Sequence, residues 1–491
     1  MAYKLSKSTF LRGLKCEKSL YLYNNRRHLI DPPSIAQQDV FFQGNEVGQL
    51  AKSLFPGGVD ASPSKHLNIL DSVNKTKDFL SKGEEIIYEA TFLFDDVLVA
   101  IDVLVKDKNH WSAYEVKSST SVSNLNILDA TIQYYTITNS GLGLQDISIV
   151  CINNQYVFKE EIDIECFFRV ESVFEPVKSR LSQIPSEISR LKKTLDLDNP
   201  PTTSIGVHCN KPYTCDFKGT CWKNVPEYSI FDLSNLKSKT KFELYNKGVH
   251  TIDLVDMSKT RLSRNQVLQI ETELSQKTHI EKSNLEHFLS NLTYPLFFLD
   301  FETFNPAIPL YKDTKPFQQI PFQYSLHIKE TKNSKTTHKE YLAEPSKDPR
   351  VGFVKNLIQD CKGKGDILVY NISFEKNRLI DLLKQFPEYK NELKLIIKRL
   401  KDLMLPFQKK WYYDPKMKGS YSIKSVLPVL VPNLSYHALN IKDGQSAKST
   451  FHSLVKGVYG GCTIVAKKQL LSYCCLDTLA MVKILEKLQS V

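Results

Sequence analysis

The sequence predicts an α/β protein with more than one domain. Three observations favour this class. Stretches with the two-residue apolar alternation of strands lie beside helical stretches in the first 225 residues. A new apolar strand begins abruptly at Pro295, after a polar helical region. The chain, with 491 residues, is also long enough for about two to four domains.

The first 225 residues are expected to form an α/β sandwich. The predicted elements, in chain order, are a helix over 44–55 that ends at Pro56-Gly57-Gly58, strands over 85–105 and 111–116, a helix over 128–137, a strand over 147–152 and a long helix over about 170–195.

Residues 226–290 predict a small helical connector, and residues 291–491 a last domain. The connector has a helix–turn–helix character around Gly248, within 242–254, for which a packing spacer is favoured over contact with a nucleic acid backbone. The last domain is expected to contain buried strands over 296–304 and 367–370 and a terminal helix over 471–488.

The composition is that of an ordinary globular protein and argues against extensive disorder, with hydrophobic and charged fractions of 42% and 24%. The net charge of +11 fits a polyanionic partner such as nucleic acid, although many unrelated proteins share this excess. No run approaches about 18 apolar residues, so we expect no membrane span. The first residues contain no apolar signal-peptide core, so we expect a cytoplasmic location.

A first chemical pattern lies on the predicted hairpin, whose polar turn is 106–109. Asp102 lies on its first strand, and Glu115 and Lys117 lie two residues apart on its second strand, so the latter two face the same side. Two carboxylates beside a lysine can bind a divalent metal and stabilise a phosphate under attack. A solvated strand face with an incidental Glu–Lys pair explains the same string about equally well.

A second acidic pattern occurs in the last domain. Asp300 and Glu302 share one face of a buried strand, where unpaired carboxylates would be costly. Glu375 follows another strand, and Tyr473 and Asp477 stack one turn apart on the terminal helix. Such a set suits a two-metal phosphodiester hydrolase, which we favour over a set of salt-bridged strand ends.

This second pattern resembles the DEDD exonuclease superfamily, DnaQ-like with a ribonuclease H-like fold, in its tyrosine subtype. The resemblance spans about 295–491. It implies cleavage of DNA or RNA from the 3′ end with two Mg²⁺ or Mn²⁺ ions held by Asp300, Glu302, Glu375 and Asp477, with Tyr473 as a catalytic residue. Glu375 stands where the family usually has aspartate. Asp402, between the second and third motifs, is a secondary metal candidate.

The hairpin pattern resembles the PD-(D/E)XK core of RecB-like nucleases. The helix after the hairpin carries Gln133-Tyr134-Tyr135, like the Gln-and-Tyr motif of that family, and the upstream helix carries Gly44-x-Glu46. The resemblance implies that Asp102, Glu115 and Glu46 hold a metal and that Lys117, Gln133 and Tyr135 serve catalysis. The histidine usual on the upstream helix is not visible; its place falls near Gly48.

Four of the ten cysteines have the spacing of ligands. Cys209, Cys215 and Cys221 form a C-x5-C-x5-C cluster, and Cys16 lies far upstream. Together they could hold an iron–sulfur cluster or zinc. The arrangement resembles the iron–sulfur staple of RecB-like exonucleases, which implies a 4Fe–4S cluster, with zinc as the alternative. We expect His208 to be a turn residue and the other six cysteines to be small buried hydrophobes.

Both halves in this order resemble an uncharacterised bacterial family that joins a RecB-like domain (1–225) to a DEDD-type domain (291–491). The resemblance implies a metal-dependent nuclease, with DNA favoured over RNA as its substrate. The other hypotheses are an RNA-processing 3′ exonuclease and a non-catalytic nucleic-acid-binding protein with degenerate sites. Four side chains could contact a single strand, although a core edge is favoured for them: Trp411, Lys418, Tyr421 and Lys424.

Overall fold

A computed structural model describes residues 3–64 and 69–491 and has a mixed α/β architecture, as expected. The chain forms two compact units. Unit 1 contains the residues up to 224 and the segment 306–317, and unit 2 contains 225–305 and 318–491. The stretch 226–290, expected as a connector, therefore lies within unit 2. None of the described helices is long and apolar enough to cross a membrane.

Unit 1 is built on a seven-stranded sheet with the order β2-β3-β4-β5-β6-β7, in which β1 adds to β4. Its strands are Leu5–Ser6 (β1), Val59–Asp60 (β2), Ile86–Phe94 (β3), Val97–Asp107 (β4), His110–Lys117 (β5), Leu144–Ile152 (β6) and Phe168–Ser172 (β7). The predicted hairpin is confirmed: β4 and β5 are antiparallel and pair Val103 with Tyr114. β6 runs parallel to β5, which requires a crossover.

The helices of unit 1 are Lys7–Lys15 (α1), Glu17–Asn25 (α2), Ile35–Ala51 (α3), Ile69–Lys82 (α4), Asn124–Asn139 (α5), Ile164–Phe167 (α6), Phe174–Lys178 (α7), Ile184–Leu195 (α8) and Lys218–Cys221 (α9). Helix α5 forms the β5–β6 crossover. The main core lies between the sheet and helices α1, α5 and α8, where Phe10, Ile101, Ile132 and Ile188 are buried.

The prediction of one long helix over 170–195 is wrong. Residues 168–172 instead form β7, which pairs with β6 from Ser148 to Ile152. Helix α7 follows, then a 3-10 turn over Leu181–Gln183, and Pro185 lies in the first turn of α8. Residues 168–172 form a strand because the unpaired edge of β6 offers them backbone hydrogen bonds. Pro185 favours the start of helix α8 at this point of the chain, because proline lacks an N–H and is therefore favoured in the first turn of a helix.

Unit 2 is built on a five-stranded mixed sheet with the order β11-β10-β9-β12-β13, beside a separate β14-β8 pair. Its strands are His279–Ile280 (β8), Leu296–Phe304 (β9), Ile320–Lys329 (β10), Thr336–Leu342 (β11), Ile367–Val369 (β12), Leu400–Asp402 (β13) and Tyr412–Tyr413 (β14). β9, β10 and β11 are antiparallel neighbours, whereas β12 is parallel to both β9 and β13.

The helices of unit 2 are Ser238–Asn246 (α10), Arg264–Ser275 (α11), Lys282–Ser290 (α12), Pro349–Asp360 (α13), Ile372–Gln385 (α14), Lys390–Arg399 (α15), Leu405–Gln408 (α16), Ile423–Leu430 (α17), Gly444–Val455 (α18) and Thr463–Leu488 (α19). They cover both faces of the sheet. Leu299 of β9 packs with Phe353 of α13 on one face, while Phe298 packs with Leu427 and Met481 of α17 and α19 on the other. Asp300 and Glu302 have the parity of Phe298 and therefore face α19.

The helix–turn–helix character expected around Gly248 is realised only in its first half. Helix α10 ends at Asn246, and Gly248 has a φ of 88°. Residues Ile252–Leu254 form one 3-10 turn instead of a second helix.

Candidate functional site

Three carboxylates of unit 2 meet in one cleft. Asp300 and Glu302 project from the same face of β9, and Asp477 projects from α19. One oxygen from each lies within 4.8 Å of the others. These residues and Glu375 line a cleft of about 250 Å³, which we call the acidic cleft. The structure therefore brings together the acidic residues that the sequence separates by up to 177 positions.

Glu375 is the most deeply buried of the four carboxylates of the acidic cleft. It lies in the first turn of α14 and is 1% exposed. Its Oε2 atom has no hydrogen-bond partner among the described residues. A buried carboxylate oxygen without a partner is unfavourable, so this atom requires either a proton or a cation.

Burial and the close spacing of the carboxylates raise pKa values in the acidic cleft. Burial, followed by the charge of neighbouring carboxylates, raises the pKa of Asp300, Glu302 and Glu375 well above their ordinary values. Burial also raises the pKa of Asp477 to about 6. Lys424 partly opposes the shift of Asp300 and Glu302, while its Nζ donates to the carbonyl of Lys442 at 2.6 Å. The oxygen ligands, their crowding and the orphaned Glu375 oxygen fit divalent cations of the Mg²⁺ type.

Two tyrosines stand beside Asp477. Tyr436 donates from its hydroxyl to Asp477 Oδ1 at 2.6 Å, and the ring of Tyr473 lies 6.2 Å from that of Tyr436. Burial, and next the charge of Asp477, raises the pKa of both phenols, so both keep their protons. The predicted Tyr473 is thus placed at the cleft, and Tyr436 is a residue that sequence reasoning missed.

Asp402 does not join the acidic cleft as a free ligand, contrary to our expectation. Its Oδ1 accepts from the backbone N–H groups of Asn371 and Met404, and its Oδ2 accepts from that of Ile372. Asn371 has a φ of 87° at the start of α14, where amides lack intrahelical partners. Asp402 therefore supports the turn that positions Glu375, because strand β13 pairs with β12 and brings its carboxylate to these amides.

A second group of charges in unit 1 centres on Glu115. Its Oε1 accepts from Lys7 and Lys117, each at 2.6 Å. Lys117 also donates to Asp129 at 2.6 Å. We call Lys7, Glu115, Lys117 and Asp129 the lysine-bridged cluster. Burial would raise the pKa of Glu115, but the two lysines outweigh it and lower that pKa to about 2.

Gln133 and Asp102 complete the surroundings of Glu115. Gln133, from α5, donates to Glu115 Oε2 at 2.7 Å, so both Glu115 oxygens have donors. Asp102 accepts from the Val116 N–H at 2.6 Å. Burial and the neighbouring Glu115 raise the pKa of Asp102 to about 7. The predicted residues Asp102, Glu115, Lys117 and Gln133 are therefore close neighbours on one face of the sheet.

The structure places Tyr135 and Glu46 differently. Tyr135 lies two positions past Gln133 on α5 and packs its ring 5.8 Å from that of Phe94, at the main core. A two-residue step turns a side chain by about 200°, to the opposite side of a helix. Tyr135 is not part of the lysine-bridged cluster. Glu46 is half-buried on α3, a helix that packs against β5.

Lys7 and Asp129 also escaped sequence reasoning. Lys7 opens α1, more than 100 residues before Glu115, and Asp129 lies one turn before Gln133 on α5. The i, i+4 spacing of Asp129 and Gln133 was a usable signal, since it puts both on one helical face. No pattern in the sequence around Lys7 indicated that it would contact Glu115.

The four predicted ligand cysteines of unit 1 line one cavity of about 20 Å³. Cys16 is the residue that precedes α2, and the other three lie in the segment 207–221. Burial raises the pKa of Cys16 and Cys221, and the neighbouring thiols add to the increase, as expected for sulfurs that lie close together. The four thiols on one cavity supply the ligand type that an iron–sulfur cluster or zinc requires. His208 lines the same cavity from a 3-10 turn.

The guanidinium of Arg12 binds both oxygens of Asp216, at 2.6 and 2.8 Å, and so joins α1 to the cysteine segment. Of the remaining six cysteines, the expected burial is confirmed for Cys151, Cys361 and Cys474. Cys166 and Cys462 are exposed and Cys475 is half-buried, so that expectation is wrong for them.

The four residues considered for single-strand contacts lie in different surroundings. Lys424 lines the acidic cleft. Trp411 packs near Phe288, with ring centroids 6.4 Å apart, and Lys418 pairs with Glu227. Tyr421 packs against the core of unit 2, which agrees with the core-edge interpretation.

Comparisons with known proteins cover part of the chain. A family model described as "Domain of unknown function (DUF2779)" matches residues 297–422. That range includes Asp300, Glu302 and Glu375, but ends before helix α19.

Three curated relatives, all uncharacterized proteins, match segments of 156 to 209 residues. The protein of Ureaplasma parvum serovar 3 is 32% identical over 156 residues, which is 29% of this chain and 22% of that protein. The Mycoplasma pneumoniae protein is 29% identical over 168 residues, or 31% of this chain and 25% of the relative. The Mycoplasma genitalium protein is 26% identical over 209 residues, which is 38% of this chain and 31% of that protein. The matches thus span less than a third of each relative.

Proposed function

We propose that this protein is a metal-dependent nuclease that hydrolyses phosphodiester bonds of DNA and that its 3′–5′ exonuclease centre is the acidic cleft. One observation carries the proposal. Oxygens of Asp300, Glu302 and Asp477 lie within 4.8 Å of one another, beside a buried Glu375 oxygen that has no partner among the described residues. Such a set needs positive charge, and phosphodiester hydrolysis by paired divalent ions uses acidic ligands of this kind.

The architecture of unit 2 supports the same proposal. A five-stranded mixed sheet with helices on both faces agrees with the ribonuclease H-like fold that the DEDD resemblance implies. The acidic residues lie on the central strand β9, on α14 and on α19, in the chain order of the three DEDD motifs.

Each residue of the acidic cleft then has a role. When bound, divalent ions would polarise the phosphate and lower the pKa of the attacking water. Asp300, Glu302, Glu375 and Asp477 would hold them, and Tyr436 fixes one Asp477 oxygen through its 2.6 Å hydrogen bond. The protonated hydroxyl of Tyr473 would orient the water.

Lys424 is suited to contact the phosphate backbone. It lines the cleft, and its Nζ lies 5.5 Å from the ring centroids of Tyr436 and Tyr473. An ammonium at the rim of an acidic cleft offsets part of the repulsion between the carboxylates and a nucleic acid strand.

For unit 1 we propose a RecB-like PD-(D/E)XK centre formed by Asp102, Glu115 and Lys117, with Gln133 beside them. Lys117 would stabilise the charge that develops on the phosphate. A second candidate, binding of nucleic acid without cleavage, is favoured by one observation: both Glu115 oxygens already have donors, namely two lysines and Gln133.

An assay on end-labelled DNA and RNA with Mg²⁺ or Mn²⁺ tests these roles. Asp300→Asn should lower 3′-end trimming by roughly 100-fold or more, since even the loss of groups behind a metal ligand costs about 10–100-fold. Glu392→Gln, which removes an exposed carboxylate of α15, should leave trimming unchanged. Trimming that survives Asp300→Asn would refute the cleft as the exonuclease centre. A preference for RNA over DNA would favour the RNA-processing hypothesis.

Lys117→Met, assayed under conditions in which urea unfolding shows both it and the native protein to be folded, separates the two candidates for unit 1. Loss of a cleavage activity that Asp300→Asn retains would support a second hydrolytic centre. Unchanged cleavage with weakened DNA binding would support the binding candidate.

We further propose that Cys16, Cys209, Cys215 and Cys221 hold a 4Fe–4S cluster that fastens the N-terminal helices to the end of unit 1. Protein purified without oxygen should contain about four iron atoms per chain, and Cys221→Ser should lose most of them. The exposed Cys166→Ser should keep them. Zinc in place of iron, lost in Cys221→Ser and kept in Cys166→Ser, would show that the four cysteines form a zinc site instead.

A further inference from the structure

A second group of metal-ligand side chains lies outside the acidic cleft. It consists of His327 on β10, His338 on β11 and Cys475 on α19, which we call the His–Cys cluster. One ring nitrogen of each histidine and the sulfur of Cys475 lie within 4.8 Å of one another. The two histidines are direct cross-strand partners, with ring centroids 4.5 Å apart.

Two hydroxyls hold the imidazoles in place. Thr478 Oγ1 lies 2.8 Å from His327 Nδ1, and Ser325 Oγ lies 2.9 Å from His338 Nε2. The two hydroxyls are 2.7 Å apart, and Thr478 donates back to the Cys475 carbonyl at 3.1 Å.

One arrangement of protons satisfies all of these contacts. Thr478 donates to the carbonyl and accepts from Ser325 and His327, and Ser325 accepts from His338. Each histidine then donates one N–H to a hydroxyl and keeps a lone pair on its other nitrogen. Metal-binding histidines characteristically donate their second ring N–H in this way, which fixes the tautomer and the ring orientation.

The three side chains of the cluster differ in their exposure to solvent. His327 is buried at 6% exposure, Cys475 is half-buried, and His338 lies exposed on the edge strand β11. Glu340, two residues along the same face of β11, is also exposed and pairs with Ser325 of β10. A fourth ligand position is therefore open to water or to a carboxylate.

We propose that His327, His338 and Cys475 form a zinc site that fastens the edge strand β11 to helix α19. Imidazole and thiolate ligands together suit zinc, whereas Mg²⁺ prefers oxygen ligands. The site differs from the acidic cleft, because consecutive residues on a helix point about 100° apart: Asp477 faces the cleft, and Thr478 faces the histidines.

The test uses the full-length protein after chelation and dialysis, with excess Mg²⁺ present to occupy oxygen ligands. Zn²⁺ is counted by elemental analysis, and Co²⁺ serves as a spectroscopic probe of thiolate ligation. The native protein should bind one more tightly held ion than His338→Ala. The exposed His110→Ala should bind as many as the native protein. The four-cysteine site of unit 1 is intact in all three proteins and contributes equally.

Cys475→Ser, compared with the exposed Cys462→Ser, gives a second reading. Cys475→Ser should weaken binding of that ion by roughly 100-fold or more and remove its thiolate-to-cobalt absorbance. Equal ion counts in the native protein, His338→Ala and Cys475→Ser would overturn the proposal. The acidic cleft is unaltered in these variants, so this result is independent of the proposed nuclease function.

Discussion

The two acidic groups of this protein solve the same electrostatic problem in opposite ways. In the lysine-bridged cluster, Glu115 and Asp129 are buried next to two lysines, and Lys117 lies 2.6 Å from both. In the acidic cleft, Asp300, Glu302 and Asp477 crowd together, and their pKa values are raised by burial and, for Asp300 and Glu302, by mutual repulsion.

The difference shows where an external cation is needed. A buried carboxylate must be neutralised by a proton, a protein cation or a metal ion, because an unpaired charge in the interior is very unfavourable. In unit 1 the cations are side chains of the protein itself, Lys7 and Lys117. Under the proposed function, the acidic cleft leaves that role to bound ions, and for this reason we propose the two-metal chemistry for unit 2.

The largest expected effect is on the stability of unit 1. Lys117→Met should lower the free energy of unfolding by about 3–5 kcal/mol, because it leaves Glu115 and Asp129 buried with only Lys7 beside them. Lys82→Met is the matched control, since Lys82 pairs with Asp78 on the surface and should cost about 0.5 kcal/mol. Urea unfolding measures both. Equal losses of unfolding free energy in the two variants would mean that Lys117 stabilises the protein no more than a surface ion pair does.

The next effect distinguishes the units by their response to metal. Mg²⁺ or Mn²⁺ at about 100 times its Kd should stabilise the native protein by about 2.7 kcal/mol. Asp300→Asn should remove this gain, and Glu392→Gln should keep it. Thermal unfolding with and without the ion provides the measurement. A gain that persists in Asp300→Asn would place the ion elsewhere.

Neutralising a carboxylate of the acidic cleft should have the opposite sign to Lys117→Met. In the presence of a chelator at neutral pH, Glu375→Gln should stabilise the protein, because the neutral glutamine removes a buried charge that the neighbouring carboxylates repel. The folded-state pKa of Glu375 lies above its ordinary value of 4.5. The native protein therefore loses stability as the pH rises from 4.5 to the folded-state pKa.

The advantage of Glu375→Gln should therefore vanish below about pH 4.5, where the native side chain is protonated in both states. Chemical unfolding at several pH values tests this. A destabilising effect at neutral pH would contradict the picture of uncompensated charge in the cleft.

The smallest effect concerns Asp402. Asp402→Ala should cost about 1 kcal/mol, comparable to the loss of a helix cap, because three backbone N–H groups lose their acceptor. The number of bound Mn²⁺ ions should stay the same as in the native protein. Loss of an ion, measured by equilibrium dialysis, would restore Asp402 as a ligand.

Much of the local structure was predictable because it depends on near neighbours. The alternation around 106–109 predicted the β4–β5 hairpin, and the shared face of Glu115 and Lys117 follows from the two-residue period of a strand. The same period placed Asp300 with Glu302. In contrast, the long helix over 170–195 failed, because the edge of β6 that captures residues 168–172 is not visible in the local pattern.

The sequence by itself determined which residue types are present and which face of each element they share, since these depend on backbone periods of 2 and 3.6 residues. It thus indicated the acidic residues, Tyr473 and the four cysteines. Only the tertiary structure decided their partners. The pairing of Lys7 with Glu115, of Asp402 with the turn at Asn371, and of His327 with His338 and Cys475 joins distant elements. Such contacts depend on how elements pack, and no local pattern encodes them.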